Sequence, residues 1–259
     1  MAHLYQSAPK LAPKARLPKQ LGFILQEGVS PIDGMPFVVV LTMKSTNRKT
    51  GDMAQVFILR QDVNPVEAIA TGADVSICGS CPHRRRQTLN ERTGAIEWVR
   101  SCYVNVGQAP LSVWRTYQRG GYSRWDAAAH ARYLTGRKVR WGAYGDPAII
   151  APAVVAEVNA LAAGHTGYTH QWRSAFAQAF VGTFQASCDG MADYLEATAH
   201  GWKTFLVAPK GVTPTVGKLC PATVSGSVAQ CLTCSLCDGA KVDVWVEAHG
   251  SGAKHVATV

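Results

Sequence analysis

The sequence contains no run of about 18 or more apolar residues, so nothing in it reads as a membrane-spanning helix. Residues 1–20, MAHLYQSAPKLAPKARLPKQ, lack the apolar stretch of a secretory signal. They are basic and proline-containing, and predict a flexible arm ahead of a single domain over 21–259. A cytoplasmic protein without membrane partners is the resulting expectation. Internal repeats and low-complexity segments are missing, and so are the P-loop and the glycine fingerprint of dinucleotide folds. Acidic residues are scarce: 17 Asp and Glu stand against 26 Lys and Arg, a net +9.

That charge is concentrated. Residues 83–140 hold twelve Lys/Arg and three acids (Glu91, Glu97, Asp126), so this segment alone carries +9 and the remainder is neutral. Aromatic residues run through it, including Trp98, Tyr103, Trp114 and Trp125. Arginine suits bidentate phosphate contact and aromatic faces suit unpaired bases. Arg84, Arg85, Arg86, Arg115 and Arg119 are therefore candidate nucleic-acid contacts, to DNA or RNA.

Eight cysteines in a chain read as intracellular argue for metal or redox chemistry and against a disulfide framework. Cys220, Cys231, Cys234 and Cys237 form two overlapping CxxC pairs plus a closing thiol, a set suited to zinc or a [4Fe–4S] cluster within a loop over 219–240. Cys78, Cys81 and Cys102 form a second set, whose fourth position is open or is filled by His83 or Cys188.

PFVVVLTMKS (36–45) and MAQVFILRQD (53–62) predict an N-terminal β-hairpin across the turn TNRKTGD. NPVEAIATGAD predicts a helix capped by Asn64. DVSICG and RSCYVNVG read as strands, and APLSVWRTYQRGG as a helix. From Arg137 onward strands alternate with helices: RKVRWGAYGDP, APAVVAEVNALAAG, HTGYTHQW, FVGTFQASCDG, MADYLEATAHG, WKTFLVAPKG and KVDVWVEAHGSG. This alternation predicts an α/β fold with a parallel sheet, a complete or partial (β/α) barrel whose chemistry sits at the strand ends. Gly142, Gly145 and Asp146 in WGAYGDP, His170 in GYTHQW and Asp189 in SCDG fall at such ends. Asp146, His170 and Asp189 are candidate catalytic residues, and EAHGSGAKH is a further phosphate-contact candidate.

The order of these motifs resembles the radical S-adenosylmethionine enzymes. That resemblance implies a [4Fe–4S] cluster on Cys78, Cys81 and Cys102, cofactor contacts from Gly142, Gly145 and Asp146, and an auxiliary cluster in the C-terminal cysteine tail. The chain is less closely similar to tRNA-guanine transglycosylases, which implies zinc on Cys231, Cys234 and Cys237 and Asp146 or Asp189 as nucleophile. It also resembles a cysteine-rich family of phages and plasmids in which ICGSCPHR, SCYVN, GAYGDP and GYTHQW recur together, which implies a bacterial or phage-infected cell and no particular activity. The expected function is a metal-dependent barrel enzyme modifying nucleic acid or a nucleotide. A zinc-containing base-exchange enzyme and a non-catalytic zinc-containing nucleic-acid-binding protein are the alternatives.

Overall fold

The computed structural model describes residues 22–249 and 252–256, so the expected arm over 1–20 lies outside the described residues. In chain order the first strands are β1 (Gly22–Val29), β2 (Pro36–Thr42) and β3 (Ala54–Arg60). All of β3 and all of β2 after Pro36 are buried, which is why these runs are apolar throughout instead of alternating. They pair as the expected antiparallel hairpin, and β1, which the sequence did not announce, adds antiparallel to β2.

A long excursion follows. Helix α1 (Pro65–Thr71) starts where Asn64 accepts from the Val66 and Glu67 amides, as the cap motif predicts. Then come α2 (Val75–Cys78), the hairpin of β4 (Arg86–Leu89) and β5 (Ile96–Val99), α3 (Ala109–Gln118), β6 (Ser123–Arg124) and α4 (Ala127–His130). Two expectations are corrected here. DVSICG is a helical turn and not a strand: Cys78 and Gly79 donate back to Asp74 and Val75 carbonyls, and Ile77 is buried in the core. RSCYVNVG is irregular, because the strand lies earlier, at β5, and Cys102 follows its end.

The regular alternation then appears: β7 (Lys138–Tyr144), α5 (Pro152–Leu161), β8 (Gly164–Thr166), β9 (Tyr168–Thr169), β10 (Gln185–Cys188), α6 (Met191–Ala199), β11 (Thr204–Ala208), β12 (Lys218–Leu219), α7 (Cys231–Cys234) and β13 (Val244–Glu247). One sheet has the order β6-β1-β2-β3-β7-β8 and another β12-β13-β11-β10-β9, with β4–β5 apart. β3, β7 and β8 are mutually parallel, and so are all strands of the second sheet. The fold is mixed α/β, and no closed barrel forms among the described residues: the expected single ring is two sheets that end at β6 and β12. The break comes at Gly167, where HTGYTHQW divides into β8 and β9. Its amide donates to the Cys237 carbonyl and its carbonyl accepts from Gln185, so the two sheets meet there. A Cβ at Gly167 would stand 2.7 Å from the Phe184 ring. Among the described residues no helix is long and apolar enough to cross a membrane.

Candidate metal centre and cavity

Residues on six parallel strands border one cavity of about 240 Å³: Gln55, Arg140, Tyr168, Ser187, Phe205 and Val246. Alternation along β7 explains how this wall is built. Arg140, Gly142, Ala143 and Tyr144 border the cavity, while Val139 and Trp141 on either side of Arg140 are buried in the core. Cys78, Cys81 and Cys102 border the cavity, as do Cys220 and Cys231.

The first cysteine set is assembled by turns. The Cys81 amide donates to the Cys78 carbonyl, and Gln171 clamps the turn, its Nε2 donating to the Cys78 carbonyl at 3.0 Å and its Oε1 accepting from Ser80. Gly79 has φ +53°, and a Cβ there would lie 2.3 Å from Gln171 Oε1, so the turn requires glycine. The β4–β5 hairpin returns the chain, and the Cys102 amide donates to the His83 carbonyl. Burial pushes the Cys78 thiol well up, and the charges of Cys81, Asp74, Cys102 and Asp146 add to it. Burial also raises the Cys102 thiol, against the opposing pull of Arg100. As free groups these are thiols; a cation among them is what would favour thiolates.

The second set lies on the loop that docks against the β2–β3 turn. The Cys231 and Leu232 amides donate to the Lys49 and Thr50 carbonyls, and the Cys220 amide to Trp245. Ser235, inside the second CxxC pair, has φ +51°, and its hydroxyl accepts from Lys138 Nζ at 2.7 Å. All four cysteines line a second cavity of about 20 Å³. Burial raises the Cys237 and Cys231 thiols, and Arg140 opposes this.

Arg140 carries no motif that would single it out in the sequence. It is 8% exposed, and among the described residues no carboxylate forms an ion pair with it. Its guanidinium lies 4.5 Å over the Tyr168 ring, donates to the Tyr168 hydroxyl, and reaches the Tyr103 hydroxyl at 3.3 Å. Burial works against its charge, but Tyr168, Tyr103, Cys231 and Cys237 outweigh burial and favour the ionised form. The available signal was its position two residues before Gly142 on one face of β7.

Asp146, 6% exposed, caps the turn at 147–149. Its Oδ1 accepts from the Ala148 amide and from Thr169 Oγ1 at 2.6 Å, and its Oδ2 from the His170 amide at 2.8 Å. Burial raises its pKa against those bonds. Three of about four acceptor sites on the carboxylate are thus used within the chain. Gly145 beside it has φ +79°, and a Cβ there would be 2.7 Å from Ile58 Cβ. His170 and Asp189 stand together with His83. Both imidazoles border the cavity, and Asp189 faces them. Burial opposes a charged His170, but Cys81 and Asp189 overcome it and push its pKa well up. Burial likewise opposes a charged Asp189, but the two imidazoles hold its carboxyl well below the usual range. Cys188 is fully buried and belongs to the core, on the strand face opposite Ser187.

No protein-family model, curated protein or solved structure matches this chain. Function is therefore read from the site's own geometry.

Among the described residues, the only group of three or more ligand atoms within 4.8 Å of one another is His83, His170 and Asp189, so neither cysteine set is gathered that tightly. The arginine triplet is committed within the chain. Arg84 donates to Asp74 and to the Gly72 and Gly79 carbonyls, Arg85 to Ala70, and Arg86 to Pro82 and His255. These bonds anchor the loop to α1 and the C-terminal turn, and Arg84 also borders the cavity. Arg115 on α3 and Arg119 at its C-terminal end are exposed. His249 borders the cavity and stacks on Tyr103 at 6.0 Å; Gly250 and Ser251 of the same motif lie outside the described residues.

Proposed function

We propose that the chain is an iron–sulfur-dependent enzyme of partial (β/α)-barrel form that modifies a nucleotide or nucleic acid, with a separate structural zinc. The observation that carries this reading is the cavity, bordered by Cys78, Cys81 and Cys102 and also by Cys220 and Cys231. The contribution of six parallel strands to its wall supports an interior like that of an incomplete barrel.

Size and donor chemistry separate the two sets. Four thiols around about 20 Å³ have room for one water-sized sphere, which suits a single tetrahedral ion. On zinc, with bonds of about 2.3 Å, those sulfurs would close to ~3.8 Å of one another. The buried Arg140 beside Cys231 and Cys237 supports thiolates there, because a buried cation needs anions near it. The three-cysteine set borders the larger cavity, and each thiolate of a [4Fe–4S] cluster binds a different iron, so wider spacing is in keeping. Cys78, Cys81 and Cys102 would hold the cluster, which supplies one-electron chemistry at the iron that lacks a cysteine. Asp146 fits a positioning role better than direct contact with S-adenosylmethionine or attack as a nucleophile, given its three internal hydrogen bonds.

Lys49, Arg84, Arg100 and Arg140 border the cavity, against Asp74 and Asp146. Asp74 is paired with Arg84 at 2.7 Å. That balance favours an anionic substrate, and with the net charge of residues 83–140 it supports a phosphate-bearing one. Anaerobic purification followed by an absorption spectrum and metal analysis tests the reading. Brown protein with iron, sulfide and one zinc per chain is expected, and Cys81→Ser should lose the iron and keep the zinc. Colourless protein whose zinc content follows Cys81 would sink it.

A further inference from the structure

Three side chains from separate turns meet beside the first cysteine set. His83 comes from the loop after Cys81, His170 from the end of β9, and Asp189 from the end of β10. One carboxylate oxygen faces each ring: His83 Nε2 lies 2.8 Å from Asp189 Oδ1, and His170 Nε2 lies 3.4 Å from Oδ2. The two rings are 5.4 Å apart and steeply inclined, at 76°.

These close approaches are ion-pair contacts whose directions fall short of hydrogen-bond geometry. Asp189 Oδ1 and His170 Nε2 are both buried, and neither has a hydrogen-bond partner. The distances suit a shared proton but the directions do not, and a hydrogen bond weakens steeply when misaligned. Lone pairs that converge on a common point give this pattern. Each group is also held from behind. His83 Nδ1 is 2.8 Å from Ser101 Oγ, the His170 amide donates to Asp146 Oδ2, and the Asp189 amide donates to Asp193 Oδ2 at 3.0 Å. Outer partners of this kind fix ring orientation at metal sites.

We propose that His83, His170 and Asp189 bind one divalent transition-metal ion of the Fe²⁺ or Zn²⁺ class, distinct from the metals of the cysteine sets. Two imidazoles and a carboxylate select such ions over Mg²⁺ and Ca²⁺, which prefer oxygen. Three protein ligands leave coordination positions open, and both imidazoles border the large cavity. An ion there would polarise an oxygen of whatever the cavity holds. The site rests on these three residues and does not depend on what the cysteines bind.

The test uses whole protein purified without air, with cysteine-bound metal counted first. The protein is then washed briefly with EDTA, titrated with Co²⁺ and desalted, and its cobalt is counted by mass spectrometry. One cobalt per chain is expected, with the weak visible bands of nitrogen and oxygen ligands. Asp189→Ala and His83→Gln remove ligands and should each weaken Co²⁺ binding by more than the ~10–100-fold lost with an outer partner, while leaving the cysteine-bound metal unchanged. Asp189→Asn, nearly isosteric, serves if the alanine variant does not fold. Wild-type protein that retains no such cobalt, or variants that retain it equally, would overturn the site. So would a sulfur-to-cobalt band that vanishes in both Cys81→Ser and Asp189→Ala, since it would make Cys81 a ligand of one shared site. Protein with no cysteine-bound metal at the outset that still holds one cobalt through Asp189 would reject the iron–sulfur reading and leave this site standing.

Discussion

Arg140 and Tyr117 show how single polar groups are held in this chain. Arg140 is buried among tyrosine hydroxyls and cysteines, and its charge is held by Tyr168 and Tyr103 first and by Cys231 and Cys237 after them. Tyr117 on α3 instead donates its hydroxyl to Glu27 Oε1 at 2.6 Å, tying the excursion after β3 to β1, where Arg124 also meets Glu27. Burial raises the Tyr117 pKa, and the bond and charge of Glu27 carry it to about 12. The proton is therefore held more tightly folded than unfolded. Stability from this group is fully present below the unfolded value of about 10 and is lost as pH rises toward about 12. Tyr117→Phe should cost about 1 kcal/mol at neutral pH. It should also flatten the decline between pH 10 and 12 in denaturant titrations. An unchanged alkaline decline would show that Tyr117 does not titrate there.

At the scale of elements, the sequence marks the C-terminal cysteine loop as a candidate metal loop but does not show that it docks. Two overlapping CxxC pairs announce ligands, whereas the surface they rest on comes from distant sequence: Lys49 and Thr50 in one turn and Thr183 in another. Gly239 marks the contact. Its φ is +82°, and a Cβ there would lie 2.3 Å from the Thr183 carbonyl carbon. Gly239→Ala should cost at least about 1–2 kcal/mol from the left-handed backbone alone. Relief of the clash should lift the loop and lower zinc content, with thermal unfolding and metal analysis as the measurements. Wild-type unfolding and zinc would show that the loop does not rest on Thr183. The helical turn of DVSICG teaches the opposite lesson. Its β-branched residues and short apolar run read equally as a buried strand or a buried turn, and tertiary hydrogen bonds decided for the turn.

For the molecule as a whole, the positive charge of residues 83–140 is divided between two uses. Arg84, Arg85 and Arg86 brace the chain internally, while Arg115 on α3 and Arg119 at its C-terminal end remain exposed, and Trp98 is 56% exposed on β5 with Arg85 stacked over it at 4.2 Å. Binding to single-stranded nucleic acid should weaken steeply with salt, by about 0.7 in log–log slope for each phosphate neutralised. Replacing Arg115 and Arg119 by Gln should reduce that slope by about 1.4, and Trp98→Ala should cost about 1–3 kcal/mol of binding. Fluorescence anisotropy across a salt series measures both. A flat response, or slopes unchanged by the arginine replacements, would reject α3 as a contact.

The sequence by itself determined the α/β class, the β2–β3 hairpin, the capped α1, and β7, α5, β10, α6, β11 and β13, because these depend on local periodicity, caps and glycine stops. It also marked the chemically distinctive residues, since cysteine spacing and strand-end motifs are local too. Only the tertiary structure decided that the strands divide at Gly167 into two sheets, that Arg84, Arg85 and Arg86 bond to partners within the chain, and that Asp146 accepts from the His170 amide. The meeting of His83, His170 and Asp189, and the seating of Arg140 between tyrosines and thiols, likewise depend on strands far apart in the chain. Which residues face one another across a cavity is set by register and packing between distant segments, and a sequence pattern carries almost no trace of that.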